Sequence, residues 1–127
     1  MRIREARPGD IPRLGELLVQ VCDVHHRGRP DLFRAGGRKY DDQALETLLD
    51  DGSRPILVAV DGEDRVLGYA FCVRQSRRGD GALQDLETLY LDDLCVDEAC
   101  RGRHVGRALY EAVVELARSL GCYNVTL

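Results

Sequence analysis

The sequence predicts a mixed α+β fold, in which one sheet is flanked by helices in the order β-α-α-β-β-β-α-β. Three observations support it: an apolar stripe at helical spacing over residues 105–120, a hairpin pattern over residues 56–73, and a strand-helix-strand unit at the end of the chain. In the strand-helix-strand unit, the helix connects two parallel strands and packs on one face of their sheet, which gives a layered structure. At 127 residues, we expect one domain, residues 1–127.

Residues 1–6 alternate apolar and polar side chains and predict the first strand, which Pro8 and Gly9 end. A first helix follows, because apolar residues recur at helical spacing from Ile11 to Val21. Asp10 is the expected N-cap of that helix, since an aspartate before the first turn can accept from free backbone N–H groups.

The segment from residue 25 to residue 40 is expected to be irregular, with His25 and His26 in the loop and with Leu32 and Phe33 packed inward. Asp41 then precedes a short apolar-periodic run and predicts the N-cap of a second helix. That helix is expected to end by Gly52, a residue type common after helix ends.

Residues 56–60 and 66–73 are rich in β-prone side chains and flank the turn sequence DGEDR, which predicts a hairpin. A fourth strand is expected over residues 87–96. The apolar stripe over residues 105–120 predicts an amphipathic helix, which Gly121 ends, and CYNVTL predicts a fifth strand.

Composition limits the classes of function. The net charge of −4 and the pI near 5.3 do not favour nucleic-acid binding, which usually needs a basic face. No apolar run of 18 residues and no signal-peptide pattern is present, so we expect no membrane association and a cytoplasmic location. Five cysteines without a C-x-x-C pair favour reduced thiols.

A metal site is not expected. Cys95, Cys100 and His104 are close in sequence, but a fourth ligand at zinc-like spacing is missing.

The segment CRGRHVGRAL, residues 100–109, concentrates two glycines and three arginines immediately before the amphipathic helix. Backbone N–H groups at a helix start bind phosphate well, and glycine lets the phosphate approach. The spacing is neither that of the P-loop nor that of the dinucleotide fingerprint. A solvated turn in an arginine-rich chain, with 17 arginines and one lysine, remains the alternative.

Together with the strand before it, this segment resembles the core of the GNAT family of N-acetyltransferases. The residues RGRHVG correspond to the acetyl-coenzyme A loop of that family, R/Q-x-x-G-x-G/A, with His104 in place of the middle glycine. The helix pair, the hairpin and the acidic fourth strand also fall in the family order. The segment YLDDLCV, with its two adjacent acids, is most similar to the spermidine/spermine (diamine) N-acetyltransferase branch.

The resemblance implies a binding site for acetyl-coenzyme A as co-substrate. The pantetheine arm would pair with main-chain groups of the fourth strand, and the pyrophosphate would lie on the loop before the helix. The implied residues are Leu94, Cys95 and Val96 in the strand, and Arg101, Gly102, Arg103, His104, Val105, Gly106 and Arg107 in the loop.

The resemblance also implies acetyl transfer to a primary amine of a small molecule or peptide, which first requires loss of the ammonium proton. Asp92 is the expected proton acceptor and Asp93 the competitor. Strand alternation predicts that these two side chains lie on opposite faces of the sheet. The alternative is a pair of ordinary, exposed strand acids.

Two departures from the family pattern carry expectations of their own. His104 has a Cβ, so we expect right-handed backbone torsions there. The family usually continues past the fifth strand with a helix and two strands, and that helix often carries a tyrosine that protonates the thiolate. We therefore expect an incomplete C-terminal end, or a partner subunit that covers it as in a homodimer.

Two further functions stay open: a non-catalytic coenzyme A-binding module, and a protein N-terminal acetyltransferase.

Overall fold

The computed structural model describes residues 1–127 and contains one five-stranded mixed sheet with three helices. The strands lie in the order β1-β2-β3-β4-β5; the first four are antiparallel to their neighbours, and β5 is parallel to β4. The predicted order of elements is confirmed. Their bounds are β1 Arg2–Glu5, α1 Ile11–Gly28, α2 Asp42–Leu49, β2 Ile56–Val60, β3 Val66–Arg77, β4 Leu86–Val96, α3 Val105–Ser119 and β5 Asn124–Thr126.

The sheet separates two apolar layers. On one face α1 and α2 pack against the strands, and fully buried residues such as Leu17 and Tyr69 meet there. On the other face α3 covers the sheet, with Leu109 and Val113 buried against Leu89. None of the three helices combines the length and apolar character that crossing a membrane requires.

Asp10 is not the side-chain cap of α1, contrary to expectation. Its carboxylate accepts two hydrogen bonds from Arg4, at 2.8 and 2.9 Å, and one from the Arg7 N–H at 2.7 Å. It therefore closes the short 3-10 turn before α1 and joins that turn to β1. The charged Arg4 guanidinium binds this carboxylate more strongly than the backbone N–H groups at the start of α1 would.

The first helix is longer than expected, and this corrects the placement of the two histidines. His25 and His26 lie in the last turn of α1, which ends at Gly28. The His25 ring stacks on Phe33, and the His26 ring nitrogen Nδ1 lies 2.7 Å from the Phe33 carbonyl oxygen. Leu32 and Phe33 do not pack inward, because they are 64% and 39% exposed.

The short helix α2 is as predicted. The Asp41 carboxylate accepts from the Ala44 N–H at 2.8 Å and so caps it.

All five cysteines are free thiols.

Candidate active site

Strand β4 contains a β-bulge at Asp92. Phe71 of β3 pairs with Asp93, but the following residue, Cys72, pairs with Leu91, so Asp92 has no partner opposite it. An extra residue of this kind shifts the alternation of side chains along a strand by one position. Each β4 side chain after Asp92 therefore lies on the face opposite to the one that simple alternation predicts.

Packing on the two faces demonstrates the shift. Leu91 lies in the layer covered by α3, whereas Cys95 lies in the layer covered by α1 and α2, although both have odd numbers. The Asp92 and Asp93 carboxylates both line the cavity on the α1 side. The expectation that these two acids lie on opposite faces is wrong, because a bulge cannot be recognised in a continuous strand pattern.

The Asp92 carboxylate is held by two residues of the loop between α1 and α2. Lys39 Nζ lies 3.0 Å from its Oδ2 atom, and the Tyr40 hydroxyl donates to the same oxygen at 3.3 Å. Burial lowers the pKa of Lys39, but the hydrogen bond to Asp92 and the negative charge of the two acids together outweigh burial and leave that pKa above its ordinary value. Lys39 is therefore a cation beside this acid.

The Asp93 carboxylate accepts a hydrogen bond of 2.8 Å from the Tyr69 hydroxyl. Tyr69 is fully buried, and both burial and the Asp93 charge raise its pKa far above the ordinary value. The phenol therefore stays protonated and donates its proton in the hydrogen bond to Asp93. The two adjacent acids thus have different neighbours: a half-exposed amine for Asp92 and a buried phenol for Asp93.

Both acids lie in a cavity of about 520 Å³ between α1, the α1–α2 loop and β4. Its walls combine apolar and aromatic groups with basic side chains and the two acids, a mixed lining typical of a small-molecule site. The lining residues outside β4 are Leu18, Val21, Cys22, His25, Leu32, Phe33, Arg34, Gly37, Arg38 and Lys39.

The carboxyl end of β4 has an open edge. The Asp97 N–H donates to the Leu67 carbonyl of β3 at 2.8 Å. Because successive residues of a strand direct their main-chain groups to opposite edges, those of Val96 and Leu94 point away from β3. On that side β5 pairs only with residues 88–90. The main-chain groups of Leu94 and Val96 are thus free on the open edge, whereas those of Cys95 between them face β3.

The loop from residue 101 to residue 107 leaves its backbone N–H groups unpaired. No carbonyl or side chain of the protein accepts from any of these seven N–H groups, and the first helical bond is that from Ala108 to the His104 carbonyl. Arg101 and Arg103 have exposed guanidinium groups outside every ion pair of the structure, whereas Arg107 pairs with Glu111 at 3.0 Å. Free donors and free positive charge together make this loop a candidate anion site.

His104 adopts a left-handed conformation, with φ 61° and ψ 21°, so the expectation of right-handed torsions is wrong. The chain must reverse between the 3-10 turn at Glu98–Cys100 and the start of α3, and Gly102 (φ 84°) together with His104 makes that reversal. Histidine is one of the few side-chain types found in this region. A signal for this conformation was available, because the loop pattern quoted above has glycine at the position of His104.

Three neighbouring cavities, each sharing lining residues with the next, lie along a path from the loop to the two acids. One of about 280 Å³ lies over residues 100–106 and shares Val96 and Arg101 with a second of about 130 Å³ along the end of β4. The second shares Val21 with the large cavity at Asp92 and Asp93. An extended ligand with an anionic head fits this path.

A buried ion pair, which the sequence pattern did not reveal, fixes the start of the loop. The Arg13 guanidinium of α1 donates to the Asp97 carboxylate and, at 2.9 Å, to the Val66 carbonyl. Gln20 adds a hydrogen bond to Asp97 at 3.4 Å and accepts from the Glu98 N–H at 3.2 Å. Helix α1 therefore positions the turn from which the anion site begins.

The side chains of Cys95, Cys100 and His104 do not converge on one point. Cys95 lies in the layer under α1 and α2, Cys100 lies in the layer under α3, and His104 is exposed in the loop.

Comparison with known proteins identifies relatives for this architecture. The family model described as "Acetyltransferase (GNAT) family" matches residues 19–127. A probable glucosamine 6-phosphate N-acetyltransferase of Oryza sativa subsp. japonica is 40% identical over 88 residues, which cover 65% of this chain and 49% of the rice protein. The chain thus spans about half the length of that relative.

Solved structures agree on the fold. A mutant protein of Bacillus halodurans superposes with a TM-score of 0.90 at 28% identity, covering 100% of this chain and 81% of that one. A glucosamine-6-phosphate N-acetyltransferase of Arabidopsis thaliana superposes with a TM-score of 0.74 at 20% identity, covering 99% of this chain and 80% of that one. At that identity the second likeness concerns the fold alone.

Proposed function

The chain belongs to the GNAT family of acetyltransferases, and from that premise we propose that it transfers an acetyl group from acetyl-coenzyme A to a primary amine. The observation that supports this best is the series of neighbouring cavities that leads from seven unpaired backbone N–H groups, past the open edge of β4, to two carboxylates. An anion site and a proton acceptor at opposite ends of one path suit a thioester donor with a phosphate-rich tail.

The residues of the path fit coenzyme A. The N–H groups of residues 103–107, with Arg101 and Arg103 beside them, would hold the pyrophosphate. Main-chain groups of Leu94 and Val96 would pair with the pantetheine amides along the open edge of β4. A Cβ at Gly106 would lie 3.5 Å from Val96, so the missing side chain leaves this part of the path open. When bound, acetyl-coenzyme A supplies an activated acetyl group.

The two acids would handle the acceptor. Asp92 Oδ2 takes a proton from the acceptor ammonium, directly or through water, and so produces the nucleophilic free amine. Asp93, fixed by Tyr69, adds negative charge that binds the same ammonium. We assign the base to Asp92 because its partner Lys39 is half-exposed, so that the ammonium of an acceptor can take the place of that amine.

The acceptor class is proposed from the cavity. Two adjacent carboxylates on one face suit a cationic amine, and this supports the resemblance to the diamine branch. The basic residues Arg34, Arg38 and Lys39 line the same cavity and would suit an amine that also carries an anionic group, as the substrate named for the rice relative does.

Turnover tests the proposal. We expect the protein to release coenzyme A from acetyl-coenzyme A in the presence of at least one member of a panel containing spermidine, glucosamine 6-phosphate and a peptide with a free N-terminus. Calorimetric binding of coenzyme A accompanies the assay. Tight binding without turnover on any amine would identify a coenzyme A-binding module instead, and no binding would refute both.

A further inference from the structure

The chain has a single lysine. Its other basic side chains are 17 arginines, whose guanidinium groups stay protonated and are poor nucleophiles. Lys39 is thus the only side-chain primary amine of the protein, and it lies on the candidate base: Nζ is 3.0 Å from Asp92 Oδ2. Its side chain is 50% exposed, whereas that of Asp92 is 20% exposed.

The surroundings of Lys39 hold its loop in the cavity. Lys39 Nζ lies 5.4 Å from the centre of the Tyr40 ring, and the Tyr40 carbonyl accepts from Arg38 Nε at 2.6 Å. The Arg38 guanidinium in turn packs on Gly15 of α1, where a Cβ would come within 2.7 Å of it. The amine therefore enters the cavity from a loop that is fixed on both sides of it.

An ammonium on Asp92 is what the proposed reaction requires of an acceptor, and Lys39 supplies one from within the chain. We infer that Lys39 Nζ is an acetyl acceptor of the protein's own reaction, so that the protein acetylates itself at this residue. The inference rests on the proposed function, because it uses the same donor and the same base.

The step balances without another reagent. Asp92 Oδ2 takes one proton from the Lys39 ammonium, and the freed Nζ forms a bond with the acetyl carbonyl carbon of acetyl-coenzyme A. The C–S bond breaks, its electron pair goes to sulfur, and the thiolate takes up the proton. A second proton leaves the nitrogen to solvent, so the products are acetyl-lysine, coenzyme A and one proton.

Self-acetylation would also change the cavity. An acetylated Nζ carries no charge, so it no longer pairs with Asp92. The carboxylate then becomes available to the ammonium of an incoming amine. The Lys39 ammonium would thus occupy the acceptor site at first, and the first turnover would remove its charge from Asp92.

Mass spectrometry of the intact protein, followed by peptide mapping, tests the inference. After incubation with acetyl-coenzyme A we expect one added acetyl group, located on Lys39, and none on the matched variant Lys39→Arg, which keeps a cation beside Asp92. The rate constant should not depend on protein concentration, because donor site and acceptor share one chain. In Asp92→Asn we expect a rate about 10²-fold lower.

The N-terminal amine of Met1, 60% exposed, is the internal reference for chemical acetylation. An unmodified Lys39 in a protein that acetylates an amine of the panel would overturn the inference and leave the proposed function intact. Modification of Lys39 no faster than that of Met1, or unchanged in Asp92→Asn, would overturn it as well. Failure of the proposed function itself would show differently, as no acetyl transfer to any amine.

Discussion

The Tyr69 hydroxyl donates to the Asp93 carboxylate across 2.8 Å, from a ring that is fully buried between the sheet and α1. One of the two acids of the cavity is thus connected directly to the core. We expect Tyr69→Phe to lower the free energy of unfolding by about 1.5 kcal/mol, because a hydrogen bond to a charged group is lost. Urea denaturation measures it.

The matched control is Tyr40→Phe, whose hydroxyl makes a longer bond of 3.3 Å to Asp92. Its loss should cost less than about 1 kcal/mol. Equal losses in the two variants would mean that the Tyr69 bond contributes no more than its half-exposed counterpart.

Asp92→Asn should lower turnover with the best amine by about 10²- to 10⁴-fold, the range typical of general base catalysis, while coenzyme A affinity stays within a few-fold. The loss should shrink at higher pH, where more of the amine is already deprotonated. Steady-state kinetics over a pH series, with calorimetry for coenzyme A, measure both quantities.

Asp93→Asn is the control for the base, because the two carboxylates share a cavity but not their partners. A loss confined to Asp93→Asn would transfer the role of base to Asp93. Full activity of both variants at neutral pH would remove both acids from the mechanism.

Gly106→Val should weaken coenzyme A binding by more than about tenfold, or about 1.4 kcal/mol, because the branched side chain enters the path beside the unpaired N–H groups. Gly106→Ala is the control: its Cβ would make ordinary contacts of 3.5 Å with Val96 and 3.7 Å with Leu94. Calorimetric titration gives both affinities. Unchanged affinity in a folded Gly106→Val protein would place the pyrophosphate elsewhere.

His104→Gly should raise the free energy of unfolding by about 0.5–1 kcal/mol, because glycine adopts the left-handed conformation without the steric cost that a Cβ brings. Coenzyme A affinity should stay within a few-fold, since we assign the anion contacts to backbone groups. The converse variant, Gly102→Ala at φ 84°, should be destabilised. A large loss of affinity in a stable His104→Gly protein would make the imidazole a phosphate ligand.

The Arg13–Asp97 pair makes stability depend on pH in the acid range. Burial raises the pKa of Asp97, but the Ala99 N–H and the Arg13 guanidinium outweigh burial and hold that pKa below its ordinary value of 3.8. A lowered pKa in the folded state means that the stabilisation is complete above the unfolded value and is lost as pH falls through the folded one. Denaturation midpoints between pH 7 and pH 2 should show that decline, and Asp97→Asn should flatten it.

At neutral pH, Asp97→Asn should cost about 3 kcal/mol, because it leaves the guanidinium buried without its partner. Asp10→Asn is the matched control, since the Arg4–Asp10 pair is similarly buried but lies away from the loop. Only Asp97→Asn should also weaken coenzyme A binding. Equal affinities in the two variants would show that α1 does not position the anion site.

Local patterns were sufficient for most of the fold. Hydrophobic periodicity, β-prone side chains and turn residues together identified every helix and strand, and Asp41 marked the start of α2 correctly, because these signals depend on residues close together in sequence. The end of α1 was missed, since its last turn carries His25 and His26 rather than apolar residues. What holds that turn is its contact with Phe33, a tertiary interaction.

The site was predictable only in part. The loop at residues 101–107 was visible from its glycines and arginines, whereas the bulge at Asp92 depends on pairing with β3 and has no signature in YLDDLCV. The same holds for Lys39 and Arg13, which reach Asp92 and Asp97 across 53 and 84 residues of chain. Contacts of that range appear only after the sheet and helices are assembled.

The bulge at Asp92 acts on β4 as a frameshift acts on a coding sequence. Before it, odd-numbered side chains such as Leu89 and Leu91 face α3; after it, the even-numbered Leu94 and Val96 do. Deleting Asp92 would place Leu91 and Asp93 next to each other, opposite Cys72 and Phe71, and would leave Leu91, Leu94 and Val96 in the layer they already occupy. The packing of α3 therefore does not depend on the extra residue, whose consequence for the molecule is a second carboxylate on the face of the cavity.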